Sequence, residues 1–237
     1  MTVKLIICGR RRPGQTLAEH RAHMKDRHGK LVLDYVAQQP SQAPRRYIQN
    51  HAFDGVYFDG EELPKAFATG LDFVTEVYFP DLAAVKSSRE TPFYLEKLQP
   101  DEPEMVDGAT VVGIPAAEQL VMPPEPRDGA VKVFVAWFSK MPGAGVFPVA
   151  TDPAALGLLG YCRNTPLFPG PLVAIDEYWL ADDAAGVAFA HHCRDAILGP
   201  VRSDAPSFCI TIAREYVLHA GHADAGQERN VHEHPRS

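Results

Sequence analysis

The sequence predicts an α+β fold made of two consecutive β-α-β-β-α-β units. Three observations predict it. In the first half of the chain, short β-branched runs and helix-periodic stretches follow one another in that order. A segment with three prolines, Met122-Pro123-Pro124-Glu125-Pro126-Arg127-Asp128-Gly129, then breaks regular structure. After it, four landmarks of the first half return in the same order.

Val3 to Gly9 has the length and branching of a buried strand, stopped by Gly9 and Pro13-Gly14. Thr16 opens a helix, because Thr16 and Glu19 have capping-box spacing, each side chain satisfying a free amide of the other. Leu17, His20 or Arg21, Met24 and His28 follow at three- and four-residue spacing. Gly29 is the expected stop, with Lys25, Arg27 and His28 in the last turn, where cations suit the helix dipole. Leu31 to Val36 reads as a second short helical piece, Pro40 to Pro44 as a loop and Arg45 to His51 as a strand. Asp54 to Gly70 reads as a long loop, a length that is usually functional or mobile. Leu71 to Phe79 is the third strand. Helices are expected from Pro80-Asp81 to Ser87 and from Pro92 to Lys97, and a closing strand from Ala109 to Gln119. This is the ferredoxin-like order.

In the second half, Val131 to Ser139 with Lys140-Met141-Pro142-Gly143 answers the first strand and Arg11-Arg12-Pro13-Gly14. Gly160-Tyr161-Cys162-Arg163-Asn164-Thr165 answers Arg46-Tyr47-Ile48-Gln49-Asn50-His51. Asp176-Glu177-Tyr178-Trp179-Leu180-Ala181-Asp182 answers Thr75 to Asp81, and Cys209 to Leu218 with Glu215 answers the strand with Glu118. Matched landmarks in one order indicate an internal duplication. The copies differ between Gly143 and Leu158, too short for a long first helix, and the second copy has no counterpart of His23, His28, Gly29 or His51. The expected organisation is a first domain over 1–120, a linker over 121–129, a degenerate second domain over 130–218 and a polar tail over 219–237.

Composition excludes several functions. A chain of 237 residues with 46% hydrophobic content can bury one large core or two small ones. A net charge of −7 with no basic run longer than Arg10-Arg11-Arg12 argues against nucleic acid. No apolar run reaches the roughly 20 residues of a membrane helix, and the start of the chain does not read as a signal peptide. Cys8, Cys162, Cys193 and Cys209 are scattered and lack a CxxC, so a reduced, cytoplasmic protein is expected. No metal is expected. His20, His23 and His28 do not share one helical face, no HExxH occurs, and His191-His192 point apart. Without a glycine-rich phosphate loop or a GxSxG elbow, no nucleotide cofactor and no serine nucleophile are expected.

Pro13-Gly14, the series Glu19, His23, His28-Gly29 and Leu31, then Arg46 to His51 and Asp72 to Phe79 together resemble the EthD-domain family of the dimeric α/β-barrel superfamily, over Met1 to about Leu120. The resemblance implies two ferredoxin-like units facing sheet to sheet, helices outside, and inner sheet faces enclosing a pocket. It implies a cofactor-independent lyase of phenolic or polyketide-like aromatics, a non-catalytic accessory protein of ether or aromatic breakdown, or, third, a monooxygenase without a cofactor. Fold alone does not choose between them.

Period-two alternation groups Tyr47, Gln49 and His51 on one face of their strand, and Asp72, Glu76 and Tyr78 on one face of the next. Together they are expected to line an aromatic-walled cavity for a small hydrophobic aromatic substrate, with Tyr161 and Trp179 added by the second copy. His28 and His51 are the expected catalytic groups, since imidazole gives and takes protons near neutral pH. Tyr47 would orient a carbonyl or phenol, and Glu76 or Asp72 would act as base or hold a histidine. The competing assignments are structural: helix-end and strand-end histidines, a core tyrosine, and carboxylates in salt bridges. A homodimer is the expected assembly.

Overall fold

The computed structural model of the chain describes residues 2–59, 67, 70–125, 128–138, 156–170, 172–198 and 207–221, with backbone alone for 54–59. The strands are β1 (Val3–Gly9), β2 (Arg46–Asp59), β3 (Phe73–Phe79), β4 (Val112–Met122), β5 (Val131–Trp137), β6 (Gly160–Pro166), β7 (Ala174–Leu180) and β8 (Phe208–His219). They close into one antiparallel barrel in the order β1-β3-β2-β8-β5-β7-β6-β4. Carrying β1–β4 onto β5–β8 reproduces that order, so the duplication is built into the barrel as a pseudo-twofold. The registers agree. Ile6 lies opposite Glu76 as Phe134 lies opposite Glu177. At the seams between units, Asn50 lies opposite Glu215 as Asn164 lies opposite Glu118. This is the dimeric α/β-barrel fold, with both halves supplied by one chain.

Helices cover the outside. In the first unit α1 (Leu17–Ala22), a π-helical segment (His23–His28) and α2 (Gly29–Gln38) form one continuous run. The capping box expected at Thr16 and Glu19 is present. Then come α3 (Leu82–Ser88), capped by the Asp81 side chain, a π-helical segment (Tyr94–Leu98) and α4 (Glu102–Met105). In the second unit α5 (Asp183–Leu198) packs Phe189, Ala190, Cys193 and Ile197 onto the outer face of β5, β7 and β8. Among the described residues, no helix is long and apolar enough to cross a membrane.

Several expectations need correction. Gly29 does not stop a helix. Its backbone is right-handed helical (φ −55°, ψ −43°), and the helix continues to Gln38. Its value is size, because a Cβ there would sit 3.1 Å from the Met24 carbonyl oxygen and 2.8 Å from Leu218 Cδ1. The expected loop from Asp54 begins later, since β2 continues through Asp59 along β8 with register shifts. β4 runs through Met122, two residues into the expected linker. The short segment in place of a first helix in the second copy falls on 139–155, outside the described residues, as does the tail beyond 221.

The expectation that the inner sheet faces enclose the pocket is overturned. The barrel interior is filled by Ile6, Cys8, Val74, Ile114, Phe134, Ala136, Ile175 and Cys209, with a gap of about 10 Å³ beside them. That is room for at most a single water. Below this apolar layer lies a buried charged layer. Lys4 Nζ meets Glu76 at 2.8 Å, Glu177 at 2.5 Å and Glu118 at 3.1 Å. Lys132 Nζ meets Glu215 at 2.7 Å and Glu177 at 3.5 Å, and also pairs with Glu76. Asn50 and Asn164 each donate to the glutamate of their own unit at 2.8 Å. Each lysine thus binds carboxylates of both units.

Candidate active site

The cavity lies on the other side of the sheet, between the outer face of β1 and β3 and the helices of the first unit. It has a volume of about 140 Å³. Leu5, Ile7, Tyr47, Phe73, Thr75, Val77 and Phe79 form its floor, Met24, His28, Val32 and Tyr35 one wall, and Leu98, Met105 and Val106 another. Arg89, Tyr94 and Glu102 edge it, with Arg89 Nε donating to the Tyr94 hydroxyl at 3.1 Å and that hydroxyl donating to Glu102 at 2.7 Å. An apolar cavity of roughly 150 Å³ holds a benzene-sized molecule, so one aromatic ring fills this one.

The π-helical segment places the polar wall. At 3.6 residues per turn, side chains five apart diverge by about 140°. The π turn instead bonds Gly29 N–H back to the Met24 carbonyl, five residues earlier, and stacks positions five apart. His23 and His28 therefore reach one carboxylate: His23 Nε2 lies 3.0 Å from Asp101 Oδ1, and His28 Nδ1 3.1 Å from Asp101 Oδ2. Arg27 Nε adds a contact of 2.8 Å to Oδ1. Burial pushes the Asp101 carboxyl up, but hydrogen bonds from His28 and His23 outweigh it and hold the group below its ordinary value. A carboxylate only accepts, so His28 Nδ1 carries the proton in that bond. Nε2, which makes no hydrogen bond among the described residues, is the ring's free nitrogen, and the ring lines the cavity.

The floor has a second polar chain. Gln49 Nε2 donates at 2.7 Å to the Met24 carbonyl and at 2.7 Å to the Tyr47 hydroxyl. The Met24 carbonyl can only accept, which fixes the amide orientation. Gln49 Oε1 then accepts from His51 Nε2 at 3.0 Å. Burial, followed by His20, Arg21 and Lys25, pushes the His51 pKa down to about 4, so the ring is neutral and donates through Nε2. Tyr47 O is an acceptor in this chain, and its own proton has no acceptor among the described residues. Burial raises the phenol pKa, so Tyr47 faces the cavity as a neutral donor.

The structure divides the residues expected from sequence among several places. His28 and Tyr47 line the cavity, with Gln49 and His51 behind Tyr47. Asp72 lies at a strand end, held by Arg11 at 2.7 Å and by the Arg11 amide at 2.9 Å. Glu76 and Tyr78 face the barrel interior, where the Tyr78 hydroxyl donates to Glu118 at 2.9 Å. The proposed grouping with Tyr47 fails on register: Tyr47, Gln49 and His51 lie opposite Val77, Thr75 and Phe73, so Glu76 and Tyr78 occupy the opposite face. Tyr161 is on the outer face of the second unit, stacked on Tyr178 and donating to Asp176 at 3.0 Å. Trp179 lies under Lys132, 4.6 Å from Nζ to the ring centroid. Asp101 was missed. It follows Leu98-Gln99-Pro100 with no local signal, and its partner is 73 residues away.

Comparison with known proteins matches this geometry at the level of fold. Residues 12–109, within the first unit, match the EthD domain family. A protein assigned as a chlorite dismutase is 11% identical, with a TM-score of 0.50 over 92% of this chain and 97% of its own, which shows the shared fold. A protein assigned as a monooxygenase from Lactobacillus acidophilus NCFM aligns at 10% identity and a TM-score of 0.49, over 92% of this chain and 97% of its own. A mutant chlorite dismutase from Candidatus Nitrospira defluvii aligns at 5% identity and a TM-score of 0.49, over 92% of both chains. No curated protein matches the sequence.

Proposed function

We propose that the protein is a cofactor-independent lyase acting on a single-ring phenolic or polyketide-like aromatic compound. The observation that carries this reading is His28, oriented through Nδ1 by Asp101, with Nε2 free and the ring lining a mostly apolar cavity of one-ring size. This is the arrangement of a base whose tautomer is fixed by a carboxylate. In a dehydration, His28 Nε2 takes a proton from the carbon next to a carbonyl. The electron pair moves onto the carbonyl oxygen, which the Tyr47 hydroxyl stabilises. As the pair returns, the neighbouring C–O bond breaks, and the departing hydroxide takes the proton back from His28 as water. In a decarboxylation the substrate loses carbon dioxide first and protonated His28 supplies the proton to carbon. Loss of a small aldehyde uses the same pair, with His28 deprotonating the hydroxyl next to the breaking C–C bond. His51 acts at one remove, as a positioning residue that holds Gln49 and through it Tyr47.

The test is a thermal-shift screen against phenolic aldehydes, aryl ethers and small polyketide-like aromatics, with mass analysis of every mixture that stabilises the protein. Binding to the native state raises the melting temperature by mass action. A hit whose mass falls by water, carbon dioxide or formaldehyde supports the lyase. Hits that all emerge unchanged sink it and leave an accessory or ligand-binding role. Homodimerisation is part of the proposal. The single-chain barrel leaves Leu120, Val121 and Phe168 exposed, apolar surface that a second copy would cover.

A further inference from the structure

We propose that Tyr47 and Thr75 form a subsite for a ring-attached oxygen on the cavity floor, which selects oxygenated rings over hydrocarbons of the same shape. The inference rests on the same cavity as the lyase reading and adds the chemical feature that selects its ligand.

Thr75 lies at the middle of β3, opposite Gln49 on β2 and Ile7 on β1. It shares the helix-facing side with Tyr47, one diagonal step away, a separation of about 7–8 Å between backbones that side chains close. Thr75 is 6% exposed and lines the cavity. Its hydroxyl makes no hydrogen bond among the described residues, and its cavity neighbours on the floor are Ile7, Phe73 and Val77. Tyr47 is 2% exposed, and its proton is likewise without an acceptor, because Gln49 occupies the oxygen as a donor. A hydroxyl hydrogen without an acceptor in a largely apolar cavity costs stability, and valine would fill the Thr75 position with the same shape. Two hydroxyl hydrogens without acceptors on one patch of floor are accounted for by a ligand oxygen that accepts from both. A phenolic or enolic oxygen seated there keeps its ring among Val32, Leu98 and Met105.

Calorimetric titration with phenol and toluene tests this on the full-length protein and its Thr75→Val, Thr75→Ser and Tyr47→Phe variants. The pair has nearly one shape, and water favours phenol, so a purely apolar cavity prefers toluene. The wild type is expected to bind phenol at least as tightly as toluene. Thr75→Val and Tyr47→Phe each shift the preference toward toluene by about tenfold, and Thr75→Ser retains it. Thr75→Val melts at or above the wild-type temperature, since it removes an unpartnered hydroxyl. Preference of the wild type for toluene, an unchanged preference in Thr75→Val, or a lower melting temperature of that variant overturns the subsite. The lyase reading fails separately: a hydroxyl-dependent phenol preference in a protein that transforms none of the screened compounds keeps the subsite and rejects the lyase.

Discussion

In the proposed mechanism His28 and Asp101 divide the work between them in a way that mutation can separate. His28→Ala removes the base, and turnover should fall by about 10²–10⁴-fold, the usual contribution of a positioned acid or base. Asp101→Asn keeps the ring but loses the carboxylate that fixes its tautomer, so turnover should fall less than in His28→Ala. Steady-state kinetics over a pH range checks both. Equal activity of His28→Ala and wild type would remove His28 from the mechanism. His51 makes a prediction about stability. Its folded pKa is lowered to about 4 from 6.5. The unfolded chain therefore takes up a proton that the folded chain refuses as pH falls from about 6.5 to 4. Stability from this group is full above that window and lost through it. His51→Gln should flatten that limb of a melting-temperature profile, and an unchanged limb would contradict the assignment.

At the scale of elements, the π turn between α1 and α2 does most to make the site. Gln49 reaches the Met24 carbonyl there because Gly29 leaves the space. Gly29→Ala should cost about 1–3 kcal/mol, the range for forced overpacking, and should lower turnover by displacing His28; denaturant unfolding with kinetics checks it. The same turn shows what the sequence could and could not say. Thr16 and Glu19 announced the helix start because a capping box is local. The strands announced themselves because β-branched runs are local. Gly29 read as a stop because composition does not distinguish a left-handed glycine from one required for close approach. The shared position of His23 and His28 was hidden because a π turn has no sequence signature and α-helical spacing separates them. Alternation gave the two faces within β2 and within β3. Relative phase between strands depends on register, so alternation alone does not separate Glu76 and Tyr78 from the face of Tyr47. Asp101 was invisible because its meaning comes from a contact 73 residues away. The lysine at the second position of both "VK" strands, Lys4 and Lys132, was a legible repeat, and it marks the charged layer.

For the whole molecule, that layer keys the two units together. Glu76 is buried, which raises its pKa, yet Lys132 and Lys4 together bring it well below the carboxylate range. Both lysines stay charged because Glu76 and Glu177 outweigh the cost of burial. Breaking a buried pair by removing one partner typically costs about 3–5 kcal/mol, so Lys132→Met should destabilise the protein by an amount in that range, read by urea unfolding. A loss below about 1 kcal/mol would show that the layer is not what holds the seams. The filled interior also bears on where the proposed function puts the chemistry. The units use their inner faces to bind each other, so among the described residues an outer face, under a helix reshaped by a π turn, is left to hold a ring. The most direct test of that account needs no knowledge of the natural substrate. Exchange of the α-protons of acetophenone in deuterated buffer can be followed by NMR with catalytic amounts of protein. Exchange should exceed the buffer rate with wild type, be reduced with Tyr47→Phe and return to the buffer rate with His28→Ala. Exchange at the buffer rate with wild type, or undiminished exchange with His28→Ala, would contradict the proposed mechanism.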